Sequence, residues 1–129
     1  MDVNSLFARA EQAFAGGRLD AARRDLEAVH RAAGEHPTVL HLLALVEKKS
    51  GRAEAARRAF ERATALAPND AQIAANFANL LSETGAAEEA LALYARALAL
   101  QAAFRDARYN RALLLQRLGR PAEALADLD

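Results

Sequence analysis

Four of the six glycines in this chain, Gly17, Gly51, Gly85 and Gly119, stand 34 residues apart. Alanine keeps the same interval at Ala10, Ala44, Ala78 and Ala112, and again at Ala22, Ala56, Ala90 and Ala124. A large apolar or aromatic residue recurs at Leu26, Phe60, Tyr94 and Leu128, and a small one at Val29, Ala63 and Ala97. Several columns in one register make an internal repeat. A period of 34 restricts the chain to an array of one supersecondary unit, which buries its apolar face only against its neighbours. The repeats run 3–36, 37–70, 71–104 and 105–129, the last cut short, and form a single array over 1–129.

Composition decides what the repeated unit is. Alanine is the commonest residue and β-branched residues are scarce, which favours helix over sheet. Each repeat reads as two helices. In the second, the pattern predicts a first helix over Pro37–Ser50, a turn at Gly51-Arg52 and a second helix over Ala53–Leu66. The glycine suits a left-handed backbone just past a helix end. Pro68-Asn69-Asp70 stops the second helix and supplies a cap for the next, and Pro121 sits where a first helical turn tolerates a missing N–H. Ala44 and Ala56 fall where the two helices cross, Leu40, Leu43 and Phe60 fill the space around them, and Ala63 meets the following repeat.

These columns resemble the tetratricopeptide repeat. Its helix-turn-helix unit carries a small residue late in the first helix, Gly at the turn, Ala in the second helix, an aromatic residue four positions on, Ala three after that, and Pro at the end. The second repeat is similar with Leu40, Leu43, Ala44, Gly51, Ala56, Phe60, Ala63 and Pro68, and the third with Phe77, Ala78, Leu81, Gly85, Ala90, Tyr94 and Ala97. The resemblance implies an all-α fold, a right-handed superhelix of antiparallel helix pairs (an α-solenoid), and a function in protein interaction. Arg9, Glu47, Arg108 and Arg111 depart from the pattern by standing where apolar residues are expected, and Gly34 and Ala102 stand where Pro is usual. Ankyrin repeats are one residue shorter and pentatricopeptide repeats one longer; either register breaks every column.

Several function classes are excluded or disfavoured by what the chain lacks. Lys plus Arg and Asp plus Glu are 17 each, so the net charge is zero, which argues against nucleic acid or anionic lipid as partner. Without cysteine there is no disulfide, thiolate nucleophile or zinc-thiolate site. The longest apolar stretch, Val39–Val46, is far below the roughly 20 residues of a membrane span. No signal peptide pattern opens the chain, so a cytoplasmic location is expected. His30, His36 and His41 lack the spacing of a helical metal pair, and Gly16-Gly17 is not followed by a phosphate-loop lysine. The acidic residues are expected on exposed faces. The reading is of a non-catalytic chain with no metal and no cofactor.

Function is then sought on the leading helices, whose second stripe faces the concave side that the resemblance implies. That stripe holds His41 and Lys48 in the second repeat, Gln72, Asn76 and Asn79 in the third, and Tyr109 and Asn110 in the fourth. Asn disfavours helix interiors, so three of them call for a reason. Each carries a donor and an acceptor, as the backbone of an extended peptide requires. Asn76 and Asn110 share one repeat position, which looks like the asparagine ladder of the O-linked N-acetylglucosamine transferases; Ala8 and Leu42 interrupt it in the first two repeats. Phe7 and Glu11 occupy the positions where a chaperone-type carboxylate clamp needs Lys and Asn, so that register is rejected. Lys48, Lys49 and Arg52 form a basic helix end. The expected partner is a protein or peptide. Leu125 and Leu128 sit in packing columns with nothing after them, which predicts either a longer parent protein, such as a sulfotransferase or glycosyltransferase with this as its substrate-presenting part, or a homo-oligomer formed through the open C-terminal end.

Overall fold

The computed structural model describes residues 1–128; Asp129 and the side chains of residues 127 and 128 lie outside the described residues, and with them the packing column expected at Leu128. Among the described residues the chain is all-α, with eight helices and no strand: α1 (Val3–Ala15), α2 (Leu19–Ala33), α3 (Pro37–Lys49), α4 (Ala53–Leu66), α5 (Ala71–Glu83), α6 (Ala87–Leu100), α7 (Arg105–Arg117) and α8 (Pro121–Leu128). It divides into two compact units, residues 1–68 and residues 69–129, each built of two helix hairpins.

The hairpin turn is made by the same bonds each time. The first helix ends, the next glycine takes a positive φ, and the residue after it donates its N–H back to a carbonyl five positions earlier: Arg18 to Ala13, Arg52 to Glu47, Ala86 to Leu81 and Arg120 to Leu115. This satisfies carbonyls that the helix end would otherwise orphan. A Cβ at Gly51 would meet nothing within 4 Å, so the glycine is required by its φ of +78° and not by space. Leading helices are capped by side chains where the sequence allows. Asp2 accepts from the Ser5 N–H at 2.8 Å and Asp70 from the Ile73 N–H at 3.0 Å. Helix α4 stops at Leu66, short of Pro68, and α8 begins on Pro121.

In the first unit the crossing alanines Ala10, Ala22, Ala44 and Ala56 are fully buried, as are Leu26, Phe60 and Ala63. In the second, Ala78 and Ala90 are fully buried, Ala112 nearly so, and Tyr94 and Leu115 fill the space beside them.

One expectation is corrected. The acidic residues do not all lie on exposed faces: Asp25 and Glu47 are buried. Each answers an arginine. Arg9 forks onto Asp25, its Nε and Nη2 each donating at 2.8 Å across the α1–α2 hairpin. Glu47 on α3 accepts from Arg23 on α2 and from Arg52 at 3.2 Å, and Arg23 also donates to Ser50 Oγ. The polar residues that break the apolar columns at Arg9 and Glu47 are thus paired, and pairing is the condition for burying Asp25 and Glu47, while Arg9 itself stays exposed. Arg108 instead donates to the Ala102 carbonyl at 2.6 Å.

Two outcomes follow for stability. Glu47→Ala leaves the Arg23 guanidinium, 16% exposed, without its buried carboxylate, and is expected to lower unfolding free energy by about 1–3 kcal/mol in denaturant titrations. The exposed Glu54→Ala should stay within about 0.5 kcal/mol. Hydrogen bonding from Arg9, against the opposing effect of burial, holds the Asp25 carboxyl below the usual carboxylate range. Its contribution is therefore complete above about pH 4, where the unfolded carboxyl ionises, and is lost as pH falls through the lowered folded value. Wild type and Asp25→Asn should differ in stability at neutral pH and converge in acid.

Candidate functional site

Helices α5 and α7 place side chains of the same helical spacing toward one another in the second unit. Asn79, Ser82 and Glu83 come from α5, and Asn110, Leu113, Gln116 and Arg117 from α7. Together with Tyr94 of α6 they line a cavity of about 570 Å³.

Asn79 is its centre. Its Oδ1 accepts from the Tyr94 hydroxyl below and from Asn110 Nδ2 at 3.2 Å. With Oδ1 doubly engaged, the Asn79 side chain is held in one orientation. Its Nδ2 donors and the Asn110 Oδ1 acceptor have no partner among the described residues. A donor and an acceptor on adjacent amides complement the C=O and N–H of a peptide backbone. At the other end, Arg117 Nη2 donates to Ser82 Oγ, and Glu83 carries the opposing charge.

Tyr94 is 1% exposed. Burial first, and then the negative charge of Glu83, push its hydroxyl up to about 12, with Arg117 pulling the other way. The phenol therefore stays protonated at physiological pH. It serves as a donor that fixes Asn79, not as an acid or base. Among the described residues no group of three or more His, Asp or Glu could hold a metal, and no helix is long and apolar enough to cross a membrane.

The structure brings together two of the residues chosen from sequence, Asn79 and Asn110. Asn76 lies one turn back on α5, outside the cavity lining, and its Oδ1 accepts from Gln72 Nε2 at 3.3 Å. Tyr109 neighbours Asn110 on α7 but points into solvent, 56% exposed. His41 and Lys48 belong to α3 of the first unit, where the His41 ring lies 6.1 Å from that of Phe60. Sequence reasoning missed Tyr94, placing it only in a core column. Its signal was legible: alone among Leu26, Phe60, Tyr94 and Leu128 it carries a hydroxyl, which needs a partner when buried.

A tetratricopeptide repeat family model matches residues 13–80. No curated protein sequence matches the chain. Among solved structures the chain is similar to MamA, with a TM-score of 0.90 at 18% identity over 98% of this chain and 74% of that one. It is similar to YrrB, described as a TPR protein with an unusual peptide-binding site, with a TM-score of 0.85 at 23% identity over 98% of this chain and 66% of that one. It is also similar to a mutant O-GlcNAc transferase from Thermobaculum terrenum, with a TM-score of 0.83 at 27% identity over 88% of this chain and 22% of that one. These likenesses show a helical-repeat fold.

The site makes one spectroscopic prediction. In Tyr109→Phe, which leaves Tyr94 as the chain's one tyrosine, phenolate absorbance should rise only near pH 12. Because an unfolded tyrosine ionises near pH ~10, the stability Tyr94 contributes is complete below that value and is lost as pH rises through about 12.

Proposed function

This chain belongs to the tetratricopeptide repeat family, and from that premise we propose that it is an interaction module holding an extended peptide or partner segment. Proteins of this family bind protein or peptide partners, and the fold supports that role. The finer reading is that the cavity of α5, α6 and α7 grips the peptide backbone, and that repeats 3–36, 37–70, 71–104 and 105–129 work as a single array. One observation carries it: Asn79 and Asn110 both line the cavity and are hydrogen-bonded to each other through Asn79 Oδ1, which Tyr94 also ties down, leaving Asn79 Nδ2 and Asn110 Oδ1 to meet a peptide backbone. Gln72, Asn76 and Tyr109 are assigned to contacts flanking the pair, and His41 and Lys48 to partner contact on the first unit. Binding through amides needs no catalytic group, metal or cofactor. A cytoplasmic protein partner, rather than nucleic acid or a membrane, fits a chain whose charges balance.

The likeness at 27% identity to the Thermobaculum terrenum O-GlcNAc transferase favours a second reading, a substrate-presenting segment of a larger transferase. The chain spans only 22% of that protein, so its activity is a proposal here. The reading frame beyond residue 129 separates the two: a transferase domain there supports the second.

The first reading is tested with a displayed peptide library, followed by calorimetry on a selected peptide. Asn110→Ala should weaken binding by about three- to tenfold, the value of one net hydrogen bond. N-methylating the contacted peptide amide should cause a similar loss, and combining the two changes should add little. Unchanged affinity in Asn110→Ala, with the fold intact, would end the amide-grip reading.

A further inference from the structure

At the elbow of the first hairpin a second cavity, of about 370 Å³, is lined by Arg9, Ala13, Arg18, Ala21, Arg24 and Asp25. Three guanidinium groups there accompany one carboxylate, a surplus of two positive charges. The carboxylate is engaged by Arg9, since both Asp25 oxygens accept from it at 2.8 Å. Neither Arg18 nor Arg24 forms an ion pair among the described residues.

The repeat supplies an internal comparison. Arg18 and Arg52 share one repeat position, as do Ala13 and Glu47. Both arginines are the N-cap residues of second helices, with φ of −86° and −101° and no side-chain cap bond. In the second repeat the Glu47 carboxylate sits between Arg52, at 3.2 Å, and Arg23. In the first repeat the arginine is kept, but the acid is replaced by the methyl of Ala13. An oxyanion at this position is thus provided by the chain itself in one repeat and not in the other. Arg18 is also held close: its guanidinium folds over Gly16, where a Cβ would come within 2.8 Å of Nη1.

We propose that the cavity of Arg9, Arg18 and Arg24 binds a phosphoryl group, either inorganic phosphate or a phosphomonoester carried by a partner. A dianion cancels the surplus charge, whereas a carboxylate cancels half of it. Guanidinium forks match phosphoryl oxygens in geometry. The first turn of α2, with no side-chain cap, adds its positive dipole end at Ala21. Asp20, the acid of that turn, is turned away onto Arg23 at 2.8 Å. The site is independent of the α5–α7 cavity.

The test is a backbone-amide NMR titration of the full chain with inorganic phosphate, phosphoserine and acetate at constant ionic strength. Phosphate and phosphoserine should shift the amides of residues 18–21, with acetate binding about tenfold more weakly. Tighter binding of phosphoserine than of phosphate points to a partner-borne group, and equal binding to the free ion. Replacing the two exposed arginines together, Arg18→Gln with Arg24→Gln, should lower phosphate affinity by about tenfold or more while the melting curve stays put. Acetate binding as tightly as phosphate, or a double variant binding phosphate like wild type, overturns the assignment.

Discussion

The structure depends on how closely two helix backbones can approach. Each hairpin buries one alanine from each of its two helices at the repeated positions: Ala10 and Ala22, Ala44 and Ala56, Ala78 and Ala90, and Ala112 and Ala124, all at most 2% exposed. A larger side chain at such a contact forces the helices apart and strains the packing around it. The low aromatic content, 5%, is a consequence of this geometry. Close-packed helices leave little interior volume, and one bulky residue per crossing, Leu26, Phe60 or Tyr94, fills what remains.

Among the described residues each buried charge is paired. Asp25 and Glu47 would each be costly alone, and each is met by an arginine that reaches it from a neighbouring helix. The Arg23–Glu47 bond runs from α2 to α3, so it joins one hairpin to the next and sets their register within the first unit. Directional bonds of this kind do what a smooth alanine surface cannot, since methyl contacts alone tolerate sliding.

The polar cavity of the second unit grows out of the same core. Tyr94 occupies the bulky column, yet its hydroxyl extends beyond the apolar layer to Asn79. One side chain thereby fills interior volume and orients the amide on the cavity wall. The rigidity of the site is borrowed from packing, and rigid amides lose less freedom on gripping a ligand than free ones.

Much of this was legible from residue order. The register of Gly17, Gly51, Gly85 and Gly119 dictated the turns, because only glycine adopts a positive φ without strain. The alanine columns dictated helix pairs, and Asn79 and Asn110 stood out as amides on helix interiors. What periodicity could not reveal is which partners distant side chains find. Arg9 and Glu47 read as flaws in an apolar column until the third dimension supplied Asp25, Arg23 and Arg52. Tyr94 read as bulk until its hydroxyl met Asn79 fifteen residues away. Backbone conformation and helical phase are local properties, written in short stretches of sequence. Hydrogen bonds and ion pairs between helices depend on a rotamer, a separation and a shared burial that exist only once the helices have packed.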